Sequence, residues 1–274
     1  MGNIIIGIHG LSNKPAPNVL EKGWHAAMLK GLKKNANISL SSLNFSSVYW
    51  ADVMYPTYDD KPDLYREAGE GDLKRYEDGW LDSFRATAQD LADNVIDSFK
   101  TRFGIDALAE AVLKSKLKDL YKYYEKKKIR DELRSRLRKE IIANKNKRIM
   151  VIAHSMGSIV AYDVLRELGR SDPNFSIEHF VTIGSPLGLP HVKYKIHQEN
   201  HLVRTPSNVK KWSNLADKRD PVALDTHLSD DFKPNDFDVQ VRDNLVLNDW
   251  GGTNHKSYGY LRTPEFTDIL KRFI

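Results

Sequence analysis

Ser155 is the residue whose surroundings point most directly to chemistry. It lies in the run Ala-His-Ser-Met-Gly at 153–157, directly after an apolar segment and directly before an amphipathic one. A serine lifted above a sheet by a sharp strand-to-helix turn needs small residues two positions before and after it, and Ala153 and Gly157 meet that need. We therefore predict that Ser155 is a nucleophile and that the N–H of Met156, at a helix N-terminus, faces a developing oxyanion.

A serine hydroxyl is a weak nucleophile at neutral pH, so it needs a histidine base that a carboxylate orients. On this type of turn the chain order is serine, acid, histidine. Asp220 lies in a loop beyond a predicted strand and is the favoured acid; Asp217 is its rival and Asp225 a weaker one. His255 follows the last predicted strand and is the favoured base.

A second group of residues is expected around the same site. The loop after the first predicted strand begins His9-Gly10-Leu11, so the Leu11 N–H is the second candidate oxyanion donor, and His9 and Gly10 are candidate pocket residues. Asp52, at the end of the second predicted strand, is a pocket candidate or a helix cap. His154 is also a pocket candidate, although the turn is expected to point its side chain elsewhere.

The composition excludes several other chemistries. The chain has no cysteine, so neither a thiolate nucleophile, a disulfide nor a cysteine-ligated zinc ion is available. His197 and His201 are four residues apart, but Glu199 stands one position late for the zinc-protease pattern. We predict a solvated helix there, and neither a metal nor a cofactor.

The elements that must position these residues alternate along the chain. Short apolar runs predict six strands, at 3–8, 45–50, 148–154, 179–183, 209–215 and 244–247. Helical spacing of apolar residues predicts helices at 15–34, 158–168 and 266–273. Such alternation predicts a mainly parallel sheet covered by helices on both faces, with the active site at the carboxyl ends of the strands.

A long insertion, residues 55–145, separates the second and third predicted strands. Its later part, 105–142, has strong helical periodicity, and we interpret it as a crossover helix plus a helical cap within one domain, 1–274. Segment 114–148 carries fifteen Lys and Arg against five Asp and Glu, which leaves the rest of the chain at −5. This segment suggests peripheral contact with an anionic membrane, or simply a solvated helix face, and not nucleic-acid binding.

No basic leader and no stretch long enough to span a membrane is visible, so a cytoplasmic protein is expected, with leaderless export left open.

With these residues assembled, the chain resembles bacterial α/β-hydrolases of the lipase and esterase type. The resemblance rests on Ile-Gly-Ile-His9-Gly10, on Val-Ile-Ala-His-Ser155-Met-Gly, on Gly184-Ser185-Pro186, on Asp220-Pro-Val and on Asn254-His255. It covers both ends of the chain well and 55–145 poorly. It implies the reaction class but not the substrate. With the predicted serine, histidine and acid, the leading hypothesis is hydrolysis of a small-molecule or lipid ester through an acyl-enzyme, without a cofactor. A phospholipase at an anionic surface and a non-catalytic binding module on the same scaffold are the alternatives.

Overall fold

The computed structural model describes residues 2–60, 64–66, 73–77, 119–251 and 254–274. Six strands form one sheet in which every neighbouring pair is parallel, in the order β2-β1-β3-β4-β5-β6. The strands are β1 (Asn3–Ile8), β2 (Phe45–Val48), β3 (Arg148–His154), β4 (His179–Ile183), β5 (Trp212–Ala216) and β6 (Val241–Leu245). The predicted α/β fold with a parallel sheet of six strands is confirmed.

Helices cover both faces of this sheet. They are α1 (Pro17–Ala36), α2 (Lys127–Ala143), α3 (Met156–Ser171), α4 (Pro190–Asn200), α5 (Ser257–Leu261) and α6 (Pro264–Leu270), with a 3₁₀ turn at Ala51–Val53. Residues 119–125 are helical as well.

The core lies in two layers because side chains alternate along each strand. In β3, Ile149 and Val151 join the layer that contains the apolar face of α3, while Met150 and Ile152 join the layer beneath α1, α5 and α6. All four of these side chains are fully buried, which explains why β3 reads as a continuous apolar run.

The strand register brings two loops of the site together. Ile8 at the end of β1 pairs with Ala153 near the end of β3, and His154 pairs with Ile183 at the end of β4. Because the strands are parallel, the residues that follow each of them emerge at one edge of the sheet. The loop that starts at His9 therefore lies beside Ser155.

Some element bounds differ from the sequence prediction. β6 begins at Val241, three residues before the predicted start, and β5 begins at Trp212, with Val209 forming only an isolated bridge to Ile177. β2 ends at Val48 rather than at 50, and α3 begins at Met156 rather than at 158.

The predicted cap falls largely outside the described residues, at 61–63, 67–72 and 78–118. Its described end, 119–125 followed by α2, is helical as predicted and packs against the α3 side of the sheet. The organisation as one domain with a cap stays a prediction. None of the described helices is both long enough and apolar enough to cross a membrane.

Candidate active site

Ser155 occupies the turn between β3 and α3, with backbone angles φ 54° and ψ −132°. A positive φ is rare for a residue other than glycine and indicates a strained turn that the surroundings hold in place. The side chain is buried, with 1% exposure. The turn predicted from the small residues around Ser155 is thus present.

Two glycines allow the end of β1 to approach this turn closely. A Cβ atom placed on Gly157 would lie 2.6 Å from the carbonyl oxygen of His9, and one placed on Gly10 would lie 2.5 Å from the Cβ atom of Ser155. Real Cβ atoms do not approach other atoms so closely. Only glycine at both positions lets the loop after β1 pack against the serine.

The structure brings Ser155, His255 and Asp220 into one hydrogen-bonded series. His255 Nε2 lies 3.0 Å from Ser155 Oγ, and His255 Nδ1 lies 2.8 and 2.7 Å from the two carboxylate oxygens of Asp220. All three side chains are buried. The distance between Ser155 Oγ and His255 Nε2 is the one that proton transfer from a serine hydroxyl to an imidazole requires.

Asp220 is held in the loop after β5. Its Oδ1 accepts a hydrogen bond of 2.8 Å from the N–H of Val222, which fixes the side chain relative to its own loop. Neither of the rival acids occupies this position. The Asp217 carboxylate is bound instead by Arg219 and by the N–H of Asn248, at 2.6 and 2.7 Å.

The residues predicted as oxyanion donors are both buried. Met156 is the first residue of α3, and Leu11 follows Gly10 in the loop after β1. The N–H groups of these two residues as oxyanion donors stay a prediction.

His9 orients the peptide between Gly10 and Leu11. Its ring stacks on Trp50 with centroids 4.6 Å apart, and its Nε2 accepts the N–H of Trp50 at 3.0 Å. Because Nε2 accepts, Nδ1 carries the proton and donates to the carbonyl oxygen of Gly10 at 2.8 Å. Burial lowers the pKa of His9 well below its usual value, so the ring stays neutral. The Gly10 carbonyl points toward His9, and the Leu11 N–H of the same trans peptide points the opposite way.

The comparison with known families agrees with this architecture. A family model described as "Alpha/beta hydrolase of unknown function (DUF900)" matches residues 113–198, a stretch that contains β3, Ser155, α3 and β4. The chain has the α/β-hydrolase fold. No curated protein matches the chain.

Within this hydrolase fold, His154 faces the site, contrary to the expectation that the turn points it elsewhere. Its Nε2 lies 2.7 Å from the carbonyl oxygen of His255, and the two imidazole rings are 4.8 Å apart. The bond crosses from the end of β3 to the loop that carries His255. The turn directs the Ser155 side chain away from the sheet, and the preceding residue, His154, lies beside the loop that carries His255.

Asp52 makes a contact that the sequence did not suggest. Its carboxylate pairs with Arg136 of α2 at 2.5 Å and is about half exposed. Arg136 also donates to the carbonyl oxygen of Tyr49 at 2.9 Å. Asp52 thus attaches α2 to the carboxyl end of β2.

The described residues contain one grouping of carboxylates with the spacing of a metal site. Ligand atoms of Asp225, Asp230 and Asp231 lie within 4.8 Å of one another. Asp231 already pairs with Lys193 at 2.5 Å, and Asp230 is exposed. His197 and His201 are both exposed, and His201 lies in the left-handed cap that ends α4.

Two further groups were not singled out as functional from the sequence. Asp163 is buried and pairs with Arg134 at 2.7 Å, which joins α3 to α2. The hydroxyl of Tyr260, five residues after His255, lies 2.7 Å from Asp220. Tyr260 is the fourth residue of the short helix α5, a position that is ordinary for a core tyrosine, so nothing in the sequence marks it.

Proposed function

We propose that the protein is a serine hydrolase that cleaves carboxylic esters. The observation that carries the proposal is the unbroken hydrogen-bonded series from Ser155 through His255 to Asp220, buried at the carboxyl edge of a parallel sheet. Acyl transfer requires a serine hydroxyl that is hydrogen-bonded to an imidazole, which is in turn hydrogen-bonded to a carboxylate.

In the first half-reaction, Ser155 Oγ forms a bond to the carbonyl carbon of the ester while its proton moves to His255 Nε2. The negative charge that develops on the carbonyl oxygen is received by the N–H groups of Met156 and Leu11. The tetrahedral intermediate collapses, the bond to the alcohol oxygen breaks, and the alcohol leaves with the proton from Nε2.

In the second half-reaction, water repeats these steps on the acyl-enzyme. Its proton moves to His255 Nε2, its oxygen bonds to the acyl carbon, and Ser155 leaves with the proton while the carboxylic acid is released. In both halves Asp220 accepts the Nδ1–H hydrogen bond, which keeps Nε2 free to accept and stabilises the imidazolium.

A lipid substrate at an anionic membrane is the narrower hypothesis that the basic segment suggested. Three of its arginines, Arg134, Arg136 and Arg138, form ion pairs with carboxylates of the protein itself. These ion pairs reduce the positive charge that the segment offers to a phosphate surface. We therefore base the proposal on esters as a class.

The test combines a fluorophosphonate probe, which labels an activated serine, with hydrolysis of a short-chain p-nitrophenyl ester. We expect the wild type to be labelled and to turn over, and Ser155→Ala to do neither. Ser213→Ala is the matched control, because Ser213 is a buried serine near the start of β5, where it bonds to His179. An unlabelled and inactive wild type would refute the proposal and favour a non-catalytic scaffold. Equal labelling of Ser155→Ala would refute Ser155 as the nucleophile.

A further inference from the structure

Tyr260 lies where the acid loop and the histidine loop meet. It belongs to α5, which begins two residues after His255, and its side chain is fully buried. Its hydroxyl is 2.7 Å from Asp220 Oδ2 and 3.1 Å from the backbone nitrogen of Asp217. The phenol thus touches the carboxylate of the series and the backbone of the loop that carries it.

The directions of these two hydrogen bonds follow from the groups involved. A backbone N–H can only donate, so the phenol oxygen accepts from Asp217, and its single proton is given to the carboxylate of Asp220. Burial, with the nearby Asp220 and Asp217, raises the pKa of Tyr260 well above its usual value. The phenol therefore keeps its proton throughout the working range of an enzyme.

The carboxylate of Asp220 is consequently held on both oxygens. Oδ1 accepts from Val222 and Oδ2 from Tyr260, and both oxygens face His255 Nδ1. Gly184, which has φ +54°, leaves room for this arrangement: a Cβ atom there would lie 2.8 Å from Asp220 Oδ2. With donors on both sides, the carboxylate cannot rotate away from the imidazole without breaking a bond.

The same tyrosine connects to the loop that carries His255. Asp217, whose N–H binds the phenol, uses its carboxylate to bind the N–H of Asn248 at 2.7 Å. The side chain of Asn248 in turn donates to the carbonyl oxygen of Lys256 at 2.9 Å and accepts from Trp250 at 3.0 Å. The residues on both sides of His255 are therefore tied to the acid loop.

We propose that Tyr260 is a positioning residue, which orients the Asp220 carboxylate toward His255 and joins the acid loop to the histidine loop. The proposal rests on the proposed function for its effect on turnover. Without the phenol, the carboxylate has more freedom to rotate and the Asp217 N–H loses its acceptor, so the imidazole is less often aligned with Ser155.

The test is Tyr260→Phe, which removes one oxygen atom and keeps the ring. We expect kcat for the p-nitrophenyl ester to fall about tenfold, the effect of losing one hydrogen bond to a charged group, with KM within about twofold. Tyr162→Phe is the matched control: Tyr162 is also buried, and its hydroxyl bonds to the backbone carbonyl of Arg204 at 2.7 Å, away from the series. Tyr162→Phe should lower the free energy of unfolding about as much as Tyr260→Phe does, but it should keep the kcat of the wild type.

A second readout needs no substrate. The Nδ1 proton of His255, shared with a carboxylate, is expected at a far-downfield position in the proton NMR spectrum, and it should disappear in His255→Ala. In Tyr260→Phe the carboxylate is held less firmly toward Nδ1, so the Nδ1–H hydrogen bond weakens on average and this resonance should move upfield. Tyr162→Phe should leave it unchanged.

The two readouts separate the two proposals. An unchanged kcat and an unmoved resonance in Tyr260→Phe would overturn the role of Tyr260, and so would equal losses of kcat in Tyr260→Phe and Tyr162→Phe. A wild type without esterase activity whose resonance still moves in Tyr260→Phe would refute the proposed function and leave the positioning of Asp220 supported.

Discussion

Replacing Gly157 by alanine should displace the nucleophile while leaving every side chain of the proposed mechanism chemically unchanged. The added Cβ atom would lie 2.6 Å from the carbonyl oxygen of His9 and 2.7 Å from that of Ile8. Both are backbone atoms of the end of β1 and cannot rotate away. α3 and the end of β1 must therefore move apart by about 0.8 Å to restore the ordinary contact distance of 3.4 Å.

Such a shift separates the first turn of α3 from the loop at Gly10 and Leu11, so the two proposed oxyanion donors no longer converge. Because a misplacement of about 1 Å can cost about 100-fold in rate, we expect kcat/KM for the p-nitrophenyl ester to fall between about 10- and 100-fold. Overpacking of this kind should also lower the free energy of unfolding by about 1–3 kcal/mol, measured by urea denaturation.

Gly169→Ala is the control, since it makes the same change on the same helix. A Cβ atom there would lie 2.5 Å from the Oγ atom of Ser207, the end of a side chain that can turn aside. We expect kcat/KM of Gly169→Ala to stay within about twofold of the wild type. A Gly157→Ala variant that keeps its kcat/KM within about threefold of the wild type would show that the close approach of β1 is not what positions the site.

Two further predictions concern buried charges. Arg134→Met leaves the Asp163 carboxylate buried without its cation, so the free energy of unfolding should drop by about 3–5 kcal/mol. Arg138 is more exposed, so Arg138→Met should lower the free energy of unfolding by less than about 1 kcal/mol. Equal losses in the two variants would contradict the importance of the buried pair. Burial and the neighbouring Asp231 raise the pKa of Asp225 from 3.8 to about 7. Between these two pH values the folded state binds more protons than the unfolded state, so the free energy of unfolding falls as the pH rises. Asp225→Asn should therefore stabilise the protein in urea denaturation at pH 8 and progressively less toward pH 4, and a gain independent of pH would argue against it.

The sequence predicted the bounds of a strand well where the strand is both buried on its two faces and almost wholly apolar. β1, β3 and β4 have the predicted bounds because their residues are almost all apolar, and a parallel strand between two helical layers has no polar face. β6 lies at the edge of the sheet, and its residues 242–244 are Arg, Asp and Asn with partial or full exposure. A polar edge strand has no apolar run to mark its start, so the prediction began three residues late.

The candidate site could be predicted only as far as local pattern reaches. The turn at Ser155 is local, since the strand, the small residues and the helix adjoin it. Asp220 and Asp217 are three residues apart in the same loop, and only the folded loop determines which carboxylate meets His255. Tyr260 is forty residues from Asp220 along the chain, and its contact follows from the packing of α5 against the acid loop, which no local pattern records.

The basic segment illustrates why a charge count alone does not identify a partner. Arg134, Arg136 and Arg138 alternate along α2, yet they reach three different carboxylates, on α3, at the end of β2 and again on α3. Arg134 also binds Glu199 of α4, at 2.6 Å. Their positive charge neutralises acidic side chains of the surrounding elements and fixes the helix that connects β2 to β3. Part of the local excess of charge in the sequence is thus paired with acidic residues distant along the chain, and these pairs attach α2 to the sheet that carries the site. Contact of segment 114–148 with an anionic membrane stays a prediction.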